Sequence, residues 1–139
     1  MSTYECRKGA NTVVPASAPY RPRTFILQEP MRRDPVTKQL TSAMNFDKAA
    51  EYGDPVICLP PGPMALSPYP TKERLKECFK DFRDEDYIIA VGDPSLIFLA
   101  AMVICDINRG RCKMLKYDRD NHKYILVEFD IHRRLGQAE

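Results

Sequence analysis

Short apolar runs alternate with polar or proline-rich stretches along the chain, and the period of each run predicts its element. "TFILQEP" (24–30) is a strand-like run, and "LTSAMNF" (40–46) is a weaker one. The polar stretch between them holds Asp34-Pro35, a pair that starts turns, so an N-terminal β-hairpin is predicted. "FDKAAEYG" suits one or two helical turns ended by Gly53. "PVICLP" (55–60) is a buried-type strand followed by the proline-rich loop "PGPMALSPYP". In 71–82, Leu75, Cys78, Phe79 and Phe82 recur at i, i+3, i+4 and i+7, the signature of an amphipathic helix.

The second half continues the alternation. "DYIIAVG" (86–92) is another buried-type strand, and a helix is expected from Pro94 to Asn108, stopping at Gly110. "RCKMLKYD" and "HKYILVEFDI" read as two strands joined by the short polar link "RDNH", hence an antiparallel hairpin. In the last strand Ile125, Val127, Phe129 and Ile131 alternate with more polar positions, a half-buried pattern. The element order predicts an α/β fold. It is a small Rossmann-like mixed sheet with a β-α-β-α-β core, flanked by an N-terminal and a C-terminal β-hairpin. Residues 1–23, with Pro15, Pro19 and Pro22 and no period, read as an extended arm, and residues 24–139 as a single α/β domain.

One run does not fit a helix lying on a sheet. "LIFLAAMVIC" (96–105) is ten uncharged residues in succession, so this helix is apolar nearly all round. It calls for cover on its outer side, from the N-terminal arm, a neighbouring helix or a second subunit.

Composition narrows the class without naming a function. A chain of 139 residues, 44% hydrophobic and 29% charged, is long enough to build one core. The formal net charge of +2 singles out neither nucleic acid nor membrane. Locally, Arg7, Lys8, Arg21, Arg23, Arg32 and Arg33 outnumber Glu5 and Glu29 in residues 1–33. Five cysteines, an odd number without a CxxC, point to a reducing compartment and no disulfide framework. No hydrophobic leader core is seen at the N-terminus, and Gly92-Asp93-Pro94 breaks the longest apolar stretch. A cytoplasmic protein without membrane contact is the expectation.

The strand-to-helix turn Gly92-Asp93-Pro94-Ser95 is the first candidate site, because helix N-termini attract anions. Two features oppose a phosphate there. Asp93 at the N-cap takes the N–H groups for itself, and Pro94 offers none. Neither GxGxxG nor GxxxxGK[ST] occurs in the chain. A structural cap is the favoured reading. The alternative places a ligand site of Gly62, Ser67, Gly92, Asp93 and Ser95 at the carboxyl edge of the parallel strands.

A second candidate is the basic stretch Arg109, Arg111, Lys113, Lys116 and Arg119 with Tyr117, where phosphate contact and stacking could hold an anionic partner or nucleic acid. Its simpler explanation is a cross-strand Tyr117–Tyr124 pair and lysines guarding an edge strand. His122 and His132 stand at no metal-ligand spacing, so neither a metal nor a cofactor is expected. No catalytic constellation is local in the sequence, and Asp84, Glu85 and Asp86 read as a solvated turn.

Three stretches carry a resemblance. "RTFILQEPMRRDP", "EYGDPVICLPPGP" and "DYIIAVGDPSLIFLAAMVICDINRGRCKMLKYDRDNHKYILVEFDI" resemble small uncharacterised proteins predicted in tailed-bacteriophage and prophage genomes, marine phages among them. The resemblance implies a bacterial host cytoplasm and a viral accessory or host-interaction role, and it transfers no site residue. The reading favoured by the sequence is a non-enzymatic binding or accessory protein. It would act through a protein partner or as a homo-oligomer, with nucleic acid not favoured. The alternatives are a small nucleotide- or metabolite-binding enzyme and a virion component using the N-terminal arm.

Overall fold

The structure, a computed structural model, describes residues 20–42 and 45–136 and the backbone of residues 7–8. In chain order its elements are β1 (Arg7–Lys8), β2 (Arg23–Gln28), β3 (Met31–Arg33), β4 (Leu40–Ser42), a 3-10 turn (Ala49–Glu51), β5 (Asp54–Leu59), α1 (Tyr69–Cys78), β6 (Tyr87–Ile89), α2 (Pro94–Ile107), β7 (Arg111–Asp118) and β8 (Lys123–Asp130). The main sheet runs β1-β5-β2-β6-β7-β8. β5, β2, β6 and β7 are mutually parallel, whereas β1 and β8 run antiparallel at the two edges. The chain is therefore a mixed α/β protein, as its periodicities predict.

The N-terminal hairpin differs from the expectation. Residues 24–30 do not pair with 40–46. Thr24 through Gln28 are all buried, and only a central strand hides both of its faces, so β2 sits between β5 and β6. The hairpin forms one step later, between β3 and β4, as a separate two-stranded sheet. Asp34 makes its turn: the carboxylate accepts the N–H groups of Val36 (2.7 Å) and Thr37 (3.0 Å). Residues 43–44 of the expected strand lie outside the described residues.

Connection direction decides which face each crossover covers. The chain steps from β2 to β5 one way across the sheet, then from β5 to β6 and β6 to β7 the other way. Right-handed crossovers that travel in opposite directions leave opposite faces of a sheet. Accordingly α1 and α2 share one face. There Phe25, Leu27, Val56, Cys58 and Ile88 pack against Leu75, Phe79, Leu96, Ala100 and Ile104. On the other face Phe46, Ala49 and Tyr52 of the first crossover pack on Ile26, Ile57 and Ile89. That crossover supplies a 3-10 turn where a doubly wound fold has a helix, so the Rossmann-like part of the expectation reaches further than the described residues do. Within the helical core the Cys58 and Cys78 sulfurs lie 2.9 Å apart as thiols.

The amino edge of the sheet is knotted by Asp86. The sequence places it in a solvated turn, yet its side chain is 0% exposed. It accepts the backbone N–H groups of Arg23 (2.9 Å) and Arg83 (2.8 Å), and the Arg23 guanidinium stands 3.3 Å away. The Tyr20 hydroxyl also donates to it. Burial, followed by the Asp86 contact, pushes the Tyr20 phenol up to about 12. Residues 20–23 of the expected arm are thus tied to the sheet, and Arg7–Lys8 lies along the outer edge of β5. The rest of 1–19 falls outside the described residues.

Removing one partner from a buried charge cluster strands the others, at a cost of about 3–5 kcal/mol. Asp86→Ala is expected to lose stability in that range in urea denaturation. A loss within the roughly 0.5 kcal/mol of ordinary surface substitutions would show that the knot is not structural.

Candidate functional site

In open α/β sheets the ligand crevice opens at the carboxyl ends of the strands where the connection direction reverses. Here that point lies between β2 and β6, and the chain fills it with its own side chains. Gln28 closes β2. Its amide oxygen accepts the Asp93 N–H (2.8 Å), and its amide nitrogen donates to the carbonyls of Pro60 (2.9 Å) and Gly62 (2.7 Å). Asp93 takes the other side. Its carboxylate accepts Ser95 N–H (3.0 Å) as the N-cap of α2, and Met64 N–H (2.7 Å) from the proline-rich loop. Those two hydrogen bonds, Met64 first, hold the Asp93 carboxyl below its usual value of 3.8.

Gly92 is required by this clasp. It holds φ at +130°, and a Cβ there would come within 2.3 Å of the Gln28 amide oxygen. The structure therefore brings together Gly62, Gly92, Asp93 and Ser95, as the sequence predicts for neighbouring loops, with Gln28 at their centre. Ser67 is exposed farther along the loop. Sequence reasoning missed Gln28, which closes an apolar strand run. A polar residue ending a strand that is otherwise buried was the available signal.

The basic stretch is dispersed. Arg111, Lys113 and Tyr117 project from the non-helical face of β7, and Lys116 projects from the helical one. Arg111 lies opposite Asp130 and pairs with Asp84 at 3.0 Å. Lys113 lies opposite Glu128 and 5.6 Å from the centre of the Tyr87 ring. Arg109 and Arg119 sit in the turns at the two ends of β7, roughly 26 Å apart for an eight-residue strand. The Tyr117 and Tyr124 rings meet edge to face at 5.2 Å. Burial, and then Tyr117, raise the Tyr124 phenol.

An apolar groove is the feature that sequence reasoning did not locate. β7 turns directly into β8, so no helix follows β7 to cover the helical face of that hairpin. Cys112, Met114, Phe129 and Ile131 form a floor there, and Ile97, Ala101, Ile104 and Cys105 of α2 form the wall. The groove holds about 260 Å³. The pattern expected to be half-buried in β8 is consequently open, with Phe129 49% and Ile131 65% exposed. Gly110 lets the chain turn tightly under it, since a Cβ there would meet Ile131 at 2.4 Å.

Among the described residues no cluster of three His, Cys, Asp or Glu side chains is placed to hold a metal ion, and no helix is long and apolar enough to cross a membrane. In comparison with known proteins, one family model matches residues 22–131, under the description Phage Pam3 gp32-like protein. No curated protein and no solved structure matches the chain.

Because its folded value is depressed, the Asp93 carboxylate contributes stability above the unfolded value and loses it as pH falls through the folded one. Asp93→Asn is expected to be less stable than the parent at neutral pH. The gap should shrink as acid is added below about pH 4, read from urea midpoints. A gap that stays constant down to pH 3 would exclude a charge-based clasp.

Proposed function

The chain belongs to the Phage Pam3 gp32-like protein family, and from that premise we propose that it is a non-enzymatic phage binding protein that grips a helix of a protein partner. One observation carries the reading: the apolar groove beside α2 occupies the place of the helix that the β7–β8 hairpin leaves out. A β-strand floor with a helical wall suits an amphipathic helix lying alongside α2, its apolar residues reaching Met114 and Phe129. Arg111 reaches the end of the groove from the other face of β7, paired there with Asp84, and Lys116 is exposed on the groove's own face. The partner helix is therefore apolar on one side and acidic on the flank that meets Lys116.

The carboxyl edge supports the enzymatic alternative less well. Gln28 takes the space and the N–H group that a ligand would use, and the Asp93 carboxylate repels a phosphate. The basic stretch supports nucleic-acid binding less well, because its charges face carboxylates or opposite sides of the sheet.

The test compares the full chain with Phe129→Asp/Ile131→Asp, both at exposed positions. Each chain is immobilised and exposed to extract from phage-infected cells, and any retained protein is purified and titrated against both. Buried apolar anchors are worth about 2 kcal/mol or more each, so the double variant should bind at least roughly 100-fold more weakly. Equal affinity for the two chains, or no protein retained by the parent, would sink the groove reading.

A further inference from the structure

The outer side of α2 carries a second apolar feature, which shares Ala101 and Cys105 with the groove wall and none of the groove floor. Phe98, Ala101, Met102 and Cys105 fall at i, i+3, i+4 and i+7, which aligns them in one ridge along the helix. Phe98 is 72% and Met102 58% exposed, Ala101 is exposed, and Cys105 is half-buried. Nothing among the described residues covers the ridge. Arg7–Lys8, the described part of the arm, lies at the opposite end of the sheet, on β5.

We propose that this ridge is a homodimer interface in which α2 packs antiparallel against α2 of a second copy. The ridge is complementary to itself in that orientation. A two-fold axis midway between Ala101 and Met102 sets Phe98 opposite Cys105 of the other copy, and Met102 opposite Ala101. Each large side chain faces a small one, the arrangement that lets two helices approach and interlock. A symmetric interface needs this reciprocity, since residue i meets j and j meets i.

Charge selects the same orientation. Asp106 is exposed in the last turn of α2. Lys72 of α1 lies beside the first turn, lining a groove with Pro94, Ser95 and Phe98. It stands 5.4 Å from the centre of the Tyr69 ring and 3.5 Å from Glu73. Antiparallel packing about that axis keeps both α1 helices on the same side. Asp106 of each copy is then carried over Lys72 and the positive helix end of the other. A parallel arrangement would put α1 on opposite sides and lose both contacts. Tyr69, 68% exposed next to Phe98, extends the apolar area beyond the ridge. This inference goes beyond the groove reading, and Phe129 and Ile131 play no part in it.

The experiment is sedimentation equilibrium of the full chain from about 1 to 100 µM, the range that resolves a micromolar association. The parent is expected to rise from its monomer mass of 16.0 kDa toward twice that value. Met102→Asp should stay monomeric throughout while keeping the parental circular dichroism. Lys72→Glu and Asp106→Lys should each weaken the dimer about fivefold, a typical effect for an exposed pair, and the double exchange should restore it. The proposal is overturned by a parent that stays monomeric, by Met102→Asp dimerising like the parent, by single exchanges that bind as tightly as the parent, or by a double exchange no tighter than the singles. Self-association lost only in Phe129→Asp/Ile131→Asp would place the interface in the groove and overturn the ridge.

Discussion

The architecture depends on β2 being held in the middle of the sheet. It is a six-residue strand with parallel neighbours on both sides, and its hydrogen bonds are made to segments that follow it by tens of residues. Such non-local pairing is slow to form and entropically costly, because long loops must close first. Two polar clasps fix its ends. At the amino end, Asp86 just before β6 takes the Arg23 N–H and pairs with its guanidinium. At the carboxyl end, Gln28 binds the turn after β6 and the loop after β5 together. Apolar burial alone would tolerate a slip of β2 along its neighbours. The clasps do not, since any slip strands a buried carboxylate or amide.

The carboxyl clasp also shapes what the fold can do. Open α/β sheets usually keep the reversal point free for a ligand. Here the same geometry is spent on stability: a glutamine amide and an aspartate carboxylate saturate the N–H groups that would receive an anion. The apolar material displaced from a conventional arrangement appears elsewhere. With a hairpin in place of a final crossover, the helical face of the sheet's last two strands is covered only along α2, at Cys112 and Met114. The molecule is thus closed at the edge where small ligands of open α/β sheets usually bind, and it leaves an apolar groove open beside α2.

The sequence was most legible where period and burial agree. The capped start of α2 and the β7–β8 hairpin appear where their patterns imply, and Leu75, Cys78, Phe79 and Phe82 are all buried, although α1 ends at Cys78 and Phe82 lies beyond it. It misled where one residue type serves two purposes. "TFILQEP" reads equally as a hairpin strand and as a central strand, and only the partners of Phe25 and Ile26 decide between them. Asp86 sits in a run of three acids that looks solvated, yet two of the donors to its carboxylate are backbone N–H groups that carry no sequence signal. The alternation in β8 reads as half-buried, yet Ile125, Phe129 and Ile131 are exposed. Which face meets a core depends on whether a helix follows β7, and the hairpin answers that it does not.

The apolar character of α2 shows why a sequence pattern without a wet face is informative even when its cause is hidden. Leu96, Ala100, Val103 and Ile104 account for the side against the sheet. Ile97, Ala101 and Cys105 account for the groove wall, and Leu99 for the side toward α1. What remains is Phe98 and Met102, both more than half exposed beside the α1 groove. An exposed helix position without a packing duty costs nothing to make charged, and charge there favours solubility. Keeping Phe and Met at two such positions, one helical turn apart, raises the hydration cost of the free chain. Contact with another molecule relieves that cost, because apolar area withdrawn from water returns about 25 cal/mol per Å². That balance is the physical ground on which the proposed α2–α2 contact rests.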